Sequence, residues 1–283
     1  MKIGTVDGGF TSIYGDKEGL RRLRALGFEC LDENCFVNTE QELFKISEKD
    51  YEKRLVNLRR LIEDADLEIN QTHGPWRWPP RDATPEDRAE RFEKMTKSIL
   101  GTVLLGSKNF VIHPIMPFTT NDASHEQETW EMNLEFFGRL CEVARQHEVV
   151  ICFENMPWKT FSLASPEAIT RFAKQMNSPW FKVCLDTGHS LTLGIQPADG
   201  VRQIGKEYLQ VLHVHDNNGV NDCHWLPYNG IGNWEEFTKA LQEIGFDGTL
   251  SMETSLSRKL PVDIRDNAER MFFQIAAKLA GRL

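Results

Sequence analysis

Val211-Leu212-His213-Val214-His215-Asp216-Asn217-Asn218-Gly219-Val220-Asn221-Asp222-Cys223-His224 begins as an apolar run and ends as a polar loop. Side chains two apart on a strand point the same way, so His213 and His215 share one face while Leu212 and Val214 fill the other. Asp216 sits at the strand's end, and Asp222 and His224 follow in the loop. Five metal-capable side chains within twelve residues, bunched at the exit of a strand, are more than packing requires. The plainer reading, hydrogen-bonded core histidines and a solvated acidic loop, is weighed by how the other strands end.

Toward the N-terminus, Phe181 to Leu185 reads as a sixth strand ending at Asp186-Thr187-Gly188-His189, and Val149 to Phe153 as a fifth ending at Glu154-Asn155. Asn109 to Ile112 is a fourth, ending at His113-Pro114, and Leu67 to Thr72 a third, ending at His73-Gly74. Phe28 to Leu31 and Lys2 to Val6 are the second and first. Toward the C-terminus, Thr249 to Met252 is the eighth and ends at Glu253. Helical patterns separate them. Leu20, Leu23 and Leu26 follow a Gly8-Gly9 turn and close at Gly27, and Asp50 to Asp64 forms the next. Another is capped at Thr84-Pro85-Glu86-Asp87 and runs towards Gly106. Gln127 to His147, a helix opening at Ser165-Pro166-Glu167, Pro197 to Ile204, Trp234 to Ile244 and Pro261 to Leu279 complete the set.

Eight strand-then-helix units predict an α/β fold, a (β/α)8 TIM barrel, because parallel strands need helical crossovers and eight of them close the sheet. A single domain over residues 1–283 is expected. An open doubly wound sheet of the dinucleotide-binding kind would carry a Gly-rich phosphate loop after its first strand, and Gly8-Gly9 alone does not make one.

With 33 basic against 42 acidic residues the net charge is -9, which repels a phosphate backbone, so nucleic acid is a disfavoured partner. Six cysteines without CxxC spacing and no apolar leading segment point to a reduced, cytoplasmic protein. No apolar run approaches the ~20 residues of a membrane span, so no membrane partner is expected. Assembly into a homo-oligomer is compatible with this composition.

A barrel gathers the C-terminal ends of its strands at one mouth. His73, His113, Glu154, Asp186, His213, His215 and Glu253 are delivered there, and His189, Asp222 and His224 join from adjoining loops. Imidazole and carboxylate without thiolate suit zinc, manganese, iron or cobalt rather than an iron-sulfur cluster. Glu154 and Glu253 each follow an apolar run and would be buried carboxylates without a partner, which a metal supplies.

Glu154-Asn155, Asp186-Thr187-Gly188-His189, His213-Val214-His215-Asp216 and Glu253 resemble the xylose-isomerase-like barrel superfamily of sugar-phosphate isomerases/epimerases, ketose 3-epimerases and the endonuclease IV family. The likeness spans nearly the whole chain. Ketose 3-epimerases hold their metal with two glutamates, an aspartate and a histidine three residues before an acid. By that resemblance the ligands are Glu154, Asp186, His213 and Glu253, with His215 the substitute for His213 and His189 holding the sugar. Likeness to endonuclease IV adds His73, His113, His189, Asp222 and His224 as ligands of a three-zinc site. Gly219 departs from the epimerases, which carry a substrate-binding arginine there.

The resemblance therefore implies a metal-dependent sugar or sugar-phosphate isomerase or epimerase, working by proton transfer through a metal-stabilised enediolate. Glu154 and Glu253 would be its acid and base, a divalent manganese, zinc, cobalt or magnesium its cofactor, with no organic cofactor. Two alternatives stand beside it: an endonuclease IV-like multi-zinc phosphodiesterase on abasic DNA, and a non-catalytic sugar-binding barrel. The acidic balance weighs against the first, and carboxylates at both acid-base positions against the second. Trp76, Trp158 and Trp225, together with Trp78, lie in strand-end loops where they can stack on a sugar. Arg77 and Lys159 are phosphate candidates, although a solvated surface charge is the simpler reading of each.

Overall fold

The computed structural model describes residues 1–254, 256 and 260–282. The chain runs β1 (Lys2–Val6), α1 (Gly8–Tyr14), α2 (Asp16–Leu26), β2 (Cys30–Glu33), a short 3-10 turn (Glu42–Phe44), α3 (Glu48–Asp64), β3 (Glu68–His73), α4 (Pro85–Leu105) and β4 (Asn109–Ile112). It continues with α5 (Glu126–Gln146), β5 (Val150–Glu154), α6 (Pro166–Met176), β6 (Phe181–Asp186), α7 (Thr187–Thr192), α8 (Pro197–Tyr208), β7 (Leu209–His213), α9 (Trp234–Glu243), β8 (Thr249–Met252) and α10 (Val262–Leu279). Parallel pairing follows chain order from β1 to β7, and β1 also pairs with β8. The seam between β7 and β8 is carried by Val214, whose N–H donates to Ser251 O at 2.8 Å and whose carbonyl accepts from Glu253 N at 3.1 Å. This is a (β/α)8 barrel, and the stretch between its two adjacent histidines closes it.

The period-2 alternation of each strand separates two cores. Val111, Cys152, Cys184 and Val211 fill the barrel's interior. Phe110, Ile112, Ile151, Phe153, Val183, Leu185, Leu212, Leu250 and Met252 point outward into the layer shared with the helices. Helix ends follow their caps. The side-chain oxygens of Thr84 and Ser165 accept from Asp87 N and Ala168 N ahead of Pro85 and Pro166, and Gly106 ends α4 at φ 83°.

Four expectations are corrected. Gly8-Gly9 opens α1 rather than a turn, because Asp7 O accepts from Phe10 and Thr11 N–H and Phe10 buries its ring. β2 lies two residues later than expected and so includes Asp32 and Glu33. β7 ends at His213, with His215 already in the loop. The Asp186-Thr187-Gly188-His189 motif also winds into α7, a helix the apolar periodicity does not reveal.

Candidate metal centre

The metal-capable side chains are held by strand ends, by the cap of α7 and by the loop after β7. Asp186 is the N-cap of α7: Oδ1 accepts from His189 N at 2.6 Å while Oδ2 meets His215 Nε2 at 2.9 Å. Asn155 ties β5 to β6, its side chain accepting from Asp186 N at 2.7 Å and donating to Asp186 O at 3.0 Å. Gly188 is required by close approach, since a Cβ there would lie 2.0 Å from the His215 ring. The loop after β7 is anchored by Asp216, which is fully buried and accepts from the N–H groups of Asn217, Gly230, Gly232 and Trp234 Nε1.

These supports bring the side chains into one cluster. Glu154 Oε2 lies 3.3 Å from His73 Nε2 and 3.1 Å from His113 Nε2, and Oε1 lies 3.0 Å from His213 Nδ1. Glu253 Oε2 approaches His213 Nδ1 at 3.3 Å, and ligand atoms of Glu154, Asp186, His213 and Glu253 all lie within 4.8 Å of one another. Asp222 Oδ2 stands 3.3 Å from His189 Nε2 and 3.1 Å from His224 Nε2. His215 stacks on His224 with ring centroids 4.1 Å apart, and its Nε2 is 3.9 Å from Glu253 Oε2.

Three of the imidazoles are held with Nε2 turned toward the cluster. Nδ1 of His73, His189 and His224 faces the carbonyl of Gly74, Asn155 and Glu253 at 2.9, 2.7 and 2.8 Å. Placing a proton on each of those nitrogens leaves an Nε2 lone pair aimed at a carboxylate oxygen, a repulsive contact unless a proton or a cation lies between. A divalent metal fits that donor set of imidazole nitrogen and carboxylate oxygen.

The electrostatics without a metal express the same demand. Burial pulls the His189 imidazole down, but Asp186, Asp222 and Glu154 outweigh it and push it up to about 10. His224 is likewise lowered by burial yet raised to about 11 by Glu253 and Asp222. His113 goes the other way, to about 4, because burial prevails over Glu154. Burial lifts Glu253, whereas in Glu154 it is overcome by His213 and His113, which hold that carboxyl well below its usual range.

Around the mouth, Trp76 stands edge-on to His113 with centroids 4.8 Å apart, and Trp78 stacks on Trp158 at 5.4 Å. Trp78 is 61% exposed, so the rim presents an indole face to solvent. Trp225 sits in the β7–α9 loop, pairing its backbone with Asp216. Arg77 is not a solvated charge: it is largely buried and its Nη2 donates to Glu90 at 2.8 Å. Lys159 lines a separate groove with Trp130, Glu131 and Arg171. Asp32 is a member of the site that sequence reasoning passed over, with Oδ2 2.9 Å from His213 Nε2.

The barrel gathers a ring of imidazoles and carboxylates at its mouth, and comparison with known proteins fixes the family. Residues 20–273 match the xylose isomerase-like TIM barrel family, and the chain belongs to it. It is 30% identical over 211 residues to an uncharacterized protein of Methanocaldococcus jannaschii, covering 71% of this chain and 69% of that one. It is 23% identical over 224 residues to a probable endonuclease 4 of Ureaplasma urealyticum, covering 75% of this chain and 66% of that protein. A crystal structure of D-psicose 3-epimerase in the presence of D-fructose superposes with a TM-score of 0.79 at 16% identity, covering 99% of this chain and 100% of that one. None of the described helices is long and apolar enough to cross a membrane.

Proposed function

We propose that this protein is a divalent-metal-dependent sugar isomerase or epimerase. The observation that carries the reading is the pair of carboxylates flanking one imidazole nitrogen, Glu154 Oε1 and Glu253 Oε2 at 3.0 and 3.3 Å from His213 Nδ1. With Asp186 they make a four-residue cradle for a cation, which when bound supplies Lewis-acid polarisation of a substrate's carbonyl and neighbouring hydroxyl. Glu154 and Glu253 are then the proton carriers, one removing the hydrogen beside the carbonyl and the other returning one. Glu253, whose side chain is 20% exposed, is the carboxylate that an entering substrate meets, and burial favours its protonated form. His189 is held by Asn155 O and Asp222 where it can bind a sugar hydroxyl. Trp76 beside His113, Trp158 stacked on Trp78 and Trp225 in the β7–α9 loop are the indoles we assign to sugar stacking. A small-molecule sugar and a cytoplasmic setting accord with the net charge of -9 and six unpaired cysteines.

A second reading, a multi-metal phosphodiesterase, is favoured by one specific observation. His73 and His113 converge on Glu154 while His189 and His224 converge on Asp222, so two further groups of donors flank the central four. Two assays on the metal-loaded protein separate the readings. Turnover of ketoses, aldoses or their phosphates without incision of an abasic duplex is expected, and efficient incision without sugar turnover would promote the second reading.

A further inference from the structure

We infer that Asp32 is a positioning residue for His213, fixing its tautomer and ring orientation so that Nδ1 is presented as a metal ligand. The inference rests on the reading of the centre as a metal site and adds to it a residue outside the ligand set.

His73, His189 and His224 turn Nε2 toward the cluster and set Nδ1 against a backbone carbonyl. His213 is reversed. Its Nδ1 faces Glu154 and Glu253, and its Nε2 faces Asp32 Oδ2 at 2.9 Å, with both side chains at most 1% exposed. The approach to Nε2 is bent from the ring's N–H direction, and no well-formed hydrogen bond satisfies that nitrogen. Asp32 Oδ2, 2.9 Å away, is the carboxylate oxygen beside it. A buried N–H beside a carboxylate is favourable, whereas a buried Nε2 lone pair there is repelled, so Asp32 selects the Nε2–H tautomer and leaves the Nδ1 lone pair for a cation.

Asp32 is itself held. Gln71 Nε2 donates to the same Oδ2 at 2.8 Å, and Gln71 Oε1 accepts from Asn70 Nδ2 at 2.6 Å. β2 thus reaches across the barrel to β7 with a charge that no backbone carbonyl provides. The carboxylate also raises the basicity of the imidazole it contacts, and loss of such an outer partner typically weakens metal binding ~10- to 100-fold.

The test is cobalt(II) affinity and visible spectrum for wild type, Asp32→Asn and Asp32→Ala, each checked for native fold by circular dichroism without metal. Affinity lower by ~10- to 100-fold with an altered d–d spectrum is expected for both variants. Wild-type affinity and spectrum in both would overturn the inference while leaving the metal reading intact. Failure of wild type to bind cobalt, manganese or zinc would overturn both. Should the variants not fold, 15N NMR of histidine-labelled, zinc-loaded wild type decides, with the His213 signal assigned by its loss in His213→Gln. A proton on Nε2 with zinc on Nδ1 supports the inference, and the reverse tautomer refutes it.

Discussion

Glu154 Oε1 lies 3.0 Å from His213 Nδ1, while the other oxygen of the same carboxylate faces His73 and His113. One side chain is thus common to two groups of donors. Glu154→Gln keeps the shape but replaces one anionic oxygen with an amide N–H₂, which cannot bind a cation. Elemental analysis of the variant should give less metal than wild type, and sugar turnover should fall by ~10² to 10⁴. Full metal content in Glu154→Gln would remove it from the ligand set.

Asp216→Asn tests the loop that delivers Asp222 and His224. Oδ1 accepts from Asn217 N and Gly232 N, and Oδ2 from Gly230 N and Trp234 Nε1, so an amide must set its own N–H₂ against two buried donors. Leaving buried donors unpaired costs roughly 1 to 3 kcal/mol each, and for two of them a total loss of about 2 to 6 kcal/mol is expected in urea denaturation. Metal affinity should drop with it. Wild-type stability would contradict the anchoring role.

Much of this was legible in one sequence. Strand ends at His73, His113, Glu154, Asp186, His213 and Glu253 stand out because apolar alternation stops at a polar residue, and a barrel converts that list into a ring. Asp32 was not legible. Ending the second strand at Leu31 left it outside, although the inward parity of Cys30 would have carried it to the interior. Asp216 resembles a metal-associated acid by spacing, yet three of its four donors come from a loop whose fold no local pattern encodes, and the fourth from Trp234 at the start of α9. Arg77 reads as surface because its partner Glu90 lies on the next helix.

Away from the centre, Glu269 gives a pH dependence. Burial against β1 raises this carboxyl from 4.5 to about 7, with Arg265 and Thr5 opposing. Below pH 4.5 it is protonated whether the chain is folded or unfolded, and it contributes nothing. Between 4.5 and about 7 the unfolded chain releases the proton that the folded chain keeps, so rising pH favours unfolding, and above about 7 the cost is constant. Glu269→Gln should be the more stable protein at pH 8, by up to about 3 kcal/mol, with the difference fading as pH falls to 4. Equal pH–stability curves in urea would rule this out.

The central claim is proton transfer beside a carbonyl by carboxylates that flank His213. It is tested most directly by following deuterium incorporation in heavy water, with metal-replete wild type and Glu253→Gln given the same panel of ketoses, aldoses and their phosphates. The account predicts exchange at the carbon beside the carbonyl of one of these sugars in wild type, and a rate lower by ~10² to 10⁴ in the metal-replete variant. Undiminished exchange in metal-replete Glu253→Gln, or no exchange by metal-replete wild type on any member of the panel, would contradict it.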